Sequence, residues 1–235
     1  MVLAALLVAW HAAVVRYRLP SIILPSPREV GGALVETYPT LLGDAAVTGA
    51  TAGIGLVVGS AVGAVLAFAM VHSRTVTSTV LPYIIALRIA PLIAIAPLLF
   101  LWFGRGVPGR ALVVVTLTVF PITISTIGGL RQTPEEYLEL METVNASRTT
   151  VFLNVRIPAA APSVFAGLKI AATVSVIGAI VTEFVTLNAG LGYRVFETAA
   201  YLRTAETYAA LVVLSLLGIA FYLVPVAIER AIRRS

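Results

Sequence analysis

Long apolar runs separated by short polar stretches set the pattern of this chain. Five runs stand out, over residues 47–71, 80–103, 111–130, 159–182 and 208–228. Three of them carry no charged residue, while 80–103 carries only Arg88 and 159–182 only Lys169. About 20 apolar residues cross roughly 30 Å of hydrocarbon, so each run predicts a membrane-spanning helix. A shorter apolar run, 2–15, has no basic region before it, no small-residue cleavage site, and Arg16 and Arg18 after it. That suits a short or truncated first span better than a signal-peptide core. The pattern predicts an all-α polytopic bundle of about six helices.

Within the first long run Gly55, Gly59 and Gly63 repeat at four-residue spacing, preceded by Gly49 and Gly53. Glycines stacked on one helix face let a neighbouring helix approach closely. Pro91, Pro97 and Pro121 fall inside the next two runs. Proline removes a backbone hydrogen bond and kinks a helix, and such breaks are tolerated beside neighbouring helices or a water-lined cavity. Kinked central helices fit a translocation path, and ordinary bending of membrane helices fits the same residues.

Between two of the spans lies a stretch of different character, ETVNASRTTVFLNVRIP, within the loop 131–157 and its exit at Pro158. Upstream of it, Thr133 can cap a helix, Pro134 suits the first helical position, and Glu136 would complete a capping box. Tyr137, Leu140 or Met141, and Val144 then recur at helical spacing, with Glu135, Glu139 and Glu142 on the other face. Asn145 accepts the left-handed conformation found just past helix ends. Ser147 can cap a second short helix over 148–154 that carries Val151, Phe152 and Val155, and Ile157-Pro158 leads into the next span. Asn145-Ala146-Ser147 also forms a glycosylation sequon, which would instead place the loop outside. An elbow that merely anchors the bundle is a further reading. Surface helices that bind anionic lipid are rich in Lys and Arg, so an acidic face with an apolar stripe suits a protein partner better.

Composition narrows the class. The chain of 235 residues is 59% hydrophobic and 11% charged, with a mean hydropathy of +1.00. Soluble domains carry about 25% charged residues, so this is a membrane protein. It has no cysteine, which excludes disulfides and thiolate metal sites, and only His11 and His72, too far apart in sequence for a helical ligand pair. The net charge of +5 is explained by arginines at membrane interfaces, and no basic tract suggests nucleic acid. Charge does not set the orientation. With the 131–157 loop inside, Arg74, Arg131, Arg148, Arg156, Arg230, Arg233 and Arg234 are inside. Arg16, Arg18, Arg28, Arg105, Arg110, Arg194 and Arg203 are then outside, which is a tie.

The loop resembles the coupling loop of binding-protein-dependent ABC importer permeases. Its pattern there is Glu-Ala-Ala, three residues, Gly, nine residues, Ile-x-Leu-Pro. Here Glu139-Leu140-Met141 stands at the first positions, Asn145 at the Gly, and Val155-Arg156-Ile157-Pro158 at the end. Leu140, Met141 and Asn145 depart from the pattern. The resemblance implies a type I importer permease of a prokaryotic plasma membrane. Residues 1–40 would be a short first segment and an extracytoplasmic connector, and 41–235 the permease core. The loop would be cytoplasmic and dock an ATPase subunit through Glu139, Leu140, Met141, Asn145, Ala146, Ser147, Phe152 and Pro158. Implied partners are the ATPase subunits, which would hold ATP and Mg, an extracytoplasmic substrate-binding protein, a second permease copy as a homodimer, and membrane lipid. No cofactor and no bond chemistry are implied for this subunit.

Leu24-Pro25-Ser26-Pro27 before a short helix, and Gly190-Leu191-Gly192-Tyr193, resemble the nitrate, sulfonate, taurine and thiamine-precursor branch. The segments Ala96-Pro97-Leu98, Leu101-Trp102-Phe103-Gly104 and 178–184 look closest to permeases for pyrimidine or riboflavin-type vitamins.

Three charges lie at or near membrane depth, where a central charge costs about 2.5–3.5 kcal/mol on insertion scales. Counting along the runs puts Arg88 in the inner third and Lys169 about three turns into its span, which suits interfacial anchoring. Glu183 falls near the outer end of its span, at a different depth from Arg88, so the two are not expected to pair. Pro91, Pro121, Thr182 and Glu183 are the candidate substrate-path residues, and an interfacial carboxylate in water is the other reading of Glu183. A secondary transporter working without an ATPase is the competing function, but no inverted repeat is visible. An intramembrane enzyme lacks a catalytic constellation.

Overall fold

The computed structural model describes residues 2–232, all helix and connecting turns. Arg233 and Arg234, counted above among the inside arginines, lie outside the described residues. Helix α1 spans Val2–Tyr17, followed by α2 (Pro27–His72), α3 (Arg74–Ile89), α4 (Leu92–Phe103) and α5 (Val107–Arg131). Then come α6 (Glu135–Thr143), α7 (Arg148–Val151), a π-helical turn (Phe152–Arg156), α8 (Ile157–Thr186), α9 (Leu191–Ala200) and α10 (Thr204–Ile232).

The short helix expected after Pro27 and the first long span are a single helix of 46 residues. Pro27 begins it, and Ser26 closes a capping box in which Glu29 Oε2 accepts the Ser26 amide at 2.6 Å. At 1.5 Å per residue α2 is about 69 Å long, far longer than the hydrocarbon core, and it passes residue 40 without a break. Its early turns pack Val30, Ala33 and Leu41 against Leu191 of α9 and Ala209 and Ala210 of α10.

The run 80–103 is not one straight helix. α3 and α4 meet at an angle of 103°. Pro91 offers no amide and disfavours a helical conformation in the residue before it, and Ala90 accordingly turns extended at ψ 135°. The two halves together still traverse the bundle. α3 packs Ile84 with Met70 and Ile127 near the elbow end, whereas α4 packs Ala96 and Phe100 against Val113 and Val185 at the other end.

α5 is the central helix, held between α2 and α8. Gly55, Gly59 and Gly63 all face it: a Cβ on any of them would run into Val114, Thr118 or Ile122. The close approach lets the Thr118 hydroxyl reach the Gly55 carbonyl at 3.1 Å and Thr123 reach Gly63 at 3.2 Å. On the other side of α5, Gly167 of α8 lies against Ser125 and the Pro121 carbonyl. Packing and inter-helix hydrogen bonds hold such bundles where lipid offers no hydrophobic drive.

Candidate functional site

The elbow between α5 and α8 keeps the predicted bend and alters its flanks. α6 begins at Glu135 with Pro134 at its cap and no side-chain cap bond. The capping box expected from Thr133 and Glu136 does not form: Pro134 rather than Thr133 takes the cap position, and the Thr133 hydroxyl donates to the Leu130 carbonyl at the end of α5. At the other end of α6 the Ala146 amide donates to Met141 O at 3.0 Å and the Asn145 amide to Glu142 O at 2.9 Å. That pair of bonds is the Schellman arrangement, and it requires the left-handed Asn145, at φ 51°. Ser147 then caps α7 by accepting the Thr150 amide at 3.1 Å.

The second short helix does not stop at Asn154. It continues through the π-turn into α8, giving an unbroken helix over Arg148–Thr186. Pro158 supplies the reason. Its ring would clash with the carbonyl four residues back and it has no amide to offer. The turn widens, and the Ile157 amide bonds Phe152 O instead. Helix α8 is therefore rigidly continuous with the elbow.

The expected docking residues fall into two groups. No residue of α6 is buried, and its apolar stripe of Tyr137, Leu140 and Val144 is 55%, 59% and 65% exposed beside exposed Glu135, Glu139 and Glu142. Met141 and Ala146 are half-buried under the bend, and Asn145, Ser147 and Pro158 are exposed. Phe152 turns inward instead. It meets Phe68 edge-on at 5.0 Å and His72 at 5.2 Å, where α2 ends.

At the opposite end, the first amides of α9 are bound by oxygens from two other helices. Gly190 N donates to Asp44 Oδ1 at 3.2 Å, Leu191 N to Thr48 Oγ1 at 2.8 Å, and Gly192 N to Glu183 Oε2 at 2.7 Å. Thr48 also hydrogen-bonds Glu183 Oε2 at 3.1 Å, and Arg194 grips Asp44 Oδ2 at 2.8 Å. Gly190 sits at φ 106°, and a Cβ there would meet the Glu183 carboxylate. The Gly190-Leu191-Gly192 sequence thus fits this clamp. Asp44, Thr48 and Arg194 escaped the sequence reading. The signal available was an aspartate and a threonine one helical turn apart at the start of an apolar run.

The four candidate path residues do not all converge. Glu183 is fully buried within the clamp, so it neither lines an open cavity nor meets water here, and Thr182 is buried with its hydroxyl on Ala179 O. Pro91 is exposed at the α3–α4 bend, and Pro121 lies buried in mid-α5. Lys169 is not a free interfacial anchor, since its Nζ pairs with Glu229 of α10 at 2.5 Å. Arg88 lies deeper than counting along its run placed it. It stands 5.8 Å from the ring of Phe120, which is thirteen residues past the start of α5 and eleven before its end. α3 begins at Arg74, six residues before the apolar run, so Arg88 stands fourteen residues into its helix. As expected, Arg88 and Glu183 are apart.

Comparison with known proteins identifies this arrangement. Residues 55–235 match the family described as binding-protein-dependent transport system inner membrane component. A probable ABC transporter permease protein of Haemophilus influenzae is 34% identical over 94% of this chain and 91% of its own length. The formylaminopyrimidine transport permease protein ThiX of Halalkalibacterium halodurans is 35% identical over 84% of this chain and 79% of its own. The riboflavin transport system permease protein RibX of Chloroflexus aurantiacus is 30% identical over 99% and 87% respectively. In fold, the chain resembles a crystal structure of an amino acid ABC transporter with histidines. The TM-score is 0.70 and the identity 15%, over 84% of this chain and 96% of that one. With its exposed elbow, its glycine-packed helices and this match, the chain belongs to the binding-protein-dependent transport system inner membrane component family and is the multi-pass membrane permease subunit of an ABC importer.

Proposed function

We propose that two copies of this chain form the membrane pathway of an importer for a small organic solute. The solute would be a vitamin precursor of the hydroxymethylpyrimidine or riboflavin type, or a sulfonate, nitrate or taurine type of compound. The relatives' names support this range, since they include formylaminopyrimidine, riboflavin, aliphatic sulfonate and taurine permeases. An extracytoplasmic binding protein delivers the solute. ATP and Mg are bound by two cytoplasmic ATPase subunits, and this subunit performs no bond chemistry and holds no cofactor of its own. Membership in a binding-protein-dependent family speaks against a secondary transporter that works without an ATPase.

The observation that carries the reading is the unpartnered α6, whose apolar stripe stands exposed between acidic residues. Single exposed apolar residues are ordinary, but an exposed stripe rimmed by charge marks a docking surface. ATP-driven closure of the ATPases draws two such elbows together. Because α8 continues from the elbow without a break, the movement reaches the bundle interior. The test is co-purification of a tagged ATPase subunit with Tyr137→Glu/Leu140→Glu. The interaction is expected to be lost. Retention of the ATPase at the wild-type ratio would overturn the docking assignment.

A further inference from the structure

Arg88 is the one charge of its apolar run, and it opens onto a cavity of about 200 Å³. Phe120, Pro121 and Ser125 of α5 and Ile170 and Val174 of α8 form the other walls. Ile170 is thirteen residues past the start of α8 and Val174 is twelve before its end, so the cavity lies midway along both α5 and α8, far from either end of the bundle.

A guanidinium at that depth needs water, a counter-charge or a ligand. Arg88 is exposed on the protomer, and among the described residues no carboxylate pairs with it. A second copy of the chain does not supply one. Of the eleven acids, four lie in the elbow, six lie at the opposite end, and Glu229 is engaged by Lys169 near the end of α10. Snorkelling to an interface is also closed off, because either end of α5 is about 16–20 Å away. The break at Ala90–Pro91 adjoins the site, as expected where irregular backbone lines a cavity rather than lipid.

We infer that Arg88, with Phe120 as the facing ring, is a contact point for the solute on its way through the membrane, and that it binds an oxyanion group, a carboxylate, sulfonate or phosphate, on a small organic molecule. The planar five-donor guanidinium matches two oxygens of such a group at once. The apolar walls accept the rest of the molecule, and Phe120 holds the side chain over the cavity by a cation–π contact. This deepens the proposed function by naming the class of solute, and it rests on that reading.

The chain has no native cysteine, which gives a direct test. Ser125→Cys, and separately Val174→Cys as a second reporter, are made in the full transporter in nanodiscs. Each is reacted with sulfonatoethyl and with trimethylammonioethyl methanethiosulfonate. Across such a cavity in water, taking a separation of roughly 6–7 Å, a unit positive charge favours the anionic reagent and disfavours the cationic one by about threefold each, about tenfold in their ratio. That ratio, normalised to a free thiol, is expected, with loss in Arg88→Gln and retention in Arg88→Lys. Methanesulfonate is expected to slow the reaction and neutral methanesulfonamide is not. Equal rates for both reagents, an unchanged ratio in Arg88→Gln, equal protection by the neutral compound, or no labelling at either position would overturn the inference. The readout needs neither ATP nor transport. Absence of ATPase stimulation by a binding protein in the same preparation would count against the importer reading and leave the labelling result standing.

Discussion

The Glu183 carboxylate accepts the amide of Gly192 at 2.7 Å, nine residues further along the chain and beyond the end of its own helix. The contact folds α9 back onto α8, and Thr48 ties the same oxygen to α2. Three helices therefore share one polar joint at the end of the bundle away from the elbow.

That joint predicts a steep response at Gly190. Alanine there must hold φ near 106° and place its Cβ against the carboxylate, so Gly190→Ala costs about 3 kcal/mol or more. Glu183→Ala leaves the Gly192 amide buried without a partner, which costs about 1–3 kcal/mol. Glu183→Gln keeps an acceptor oxygen and loses least. Apparent melting temperatures in nanodiscs are expected to fall in the order Gln, then Ala at 183, then Ala at 190. A melting temperature for Gly190→Ala equal to wild type contradicts the clamp.

The bend at Asn145 predicts a different pair of outcomes. Its φ of 51° suits glycine at no cost, whereas a β-branched residue is a genuine outlier there. Asn145→Gly keeps binding-protein-stimulated ATP hydrolysis. Asn145→Val costs about 1–2 kcal/mol locally, which is enough to distort the Schellman bonds, and stimulation falls. Equal stimulation in both variants would falsify the bend assignment.

What could be read in the sequence divides along the range of the interactions. The bend at Asn145 and the cap at Ser147 depend on residues within three to five positions, and both form as the local chemistry dictates. The long spans depend on summed hydropathy and are equally plain. The clamp is different: Thr48 and Glu183 are 135 residues apart, and Asp44 and Arg194 are 150 apart. No periodicity links them. Arg88 was placed too shallow because the count began at residue 80, where the apolar run starts, whereas α3 itself starts at Arg74. The Thr133 capping box failed because α6 takes Pro134 as its cap, one residue later than the Thr133–Glu136 spacing requires.

The ion pair between Lys169 and Glu229 joins α8 to α10 across 60 residues of sequence, with side chains 25% and 13% exposed. Removing the Glu229 carboxylate strands the Lys169 ammonium in a poorly solvated place, so Glu229→Ala is expected to cost about 2 kcal/mol. Glu229→Asp keeps the charge and is expected to lose less. Thermal unfolding of the two variants checks the pattern. A melting temperature of Glu229→Ala equal to wild type shows that the pair contributes nothing specific.

Phe152 separates docking from transmission. Its ring closes a cluster with Phe68, edge-on at 88°, and with His72, whose own ring lies 4.4 Å from that of Phe68. Aromatic pairs of this kind contribute about 0.5–1.5 kcal/mol beyond the area they bury. The cluster is the side-chain contact by which the elbow touches the end of α2, while the exposed face of α6 lies on the other side of the Asn145 bend. Phe152→Ala should therefore leave the ATPase attached while weakening the path from elbow to α2. The expected result is an unchanged co-purification ratio together with a several-fold loss of binding-protein stimulation, and Phe152→Leu should fall between. If Phe152→Ala instead releases the ATPase, the ring belongs to the docking surface and α2 takes its motion from α5 and α8, against which it packs along its length.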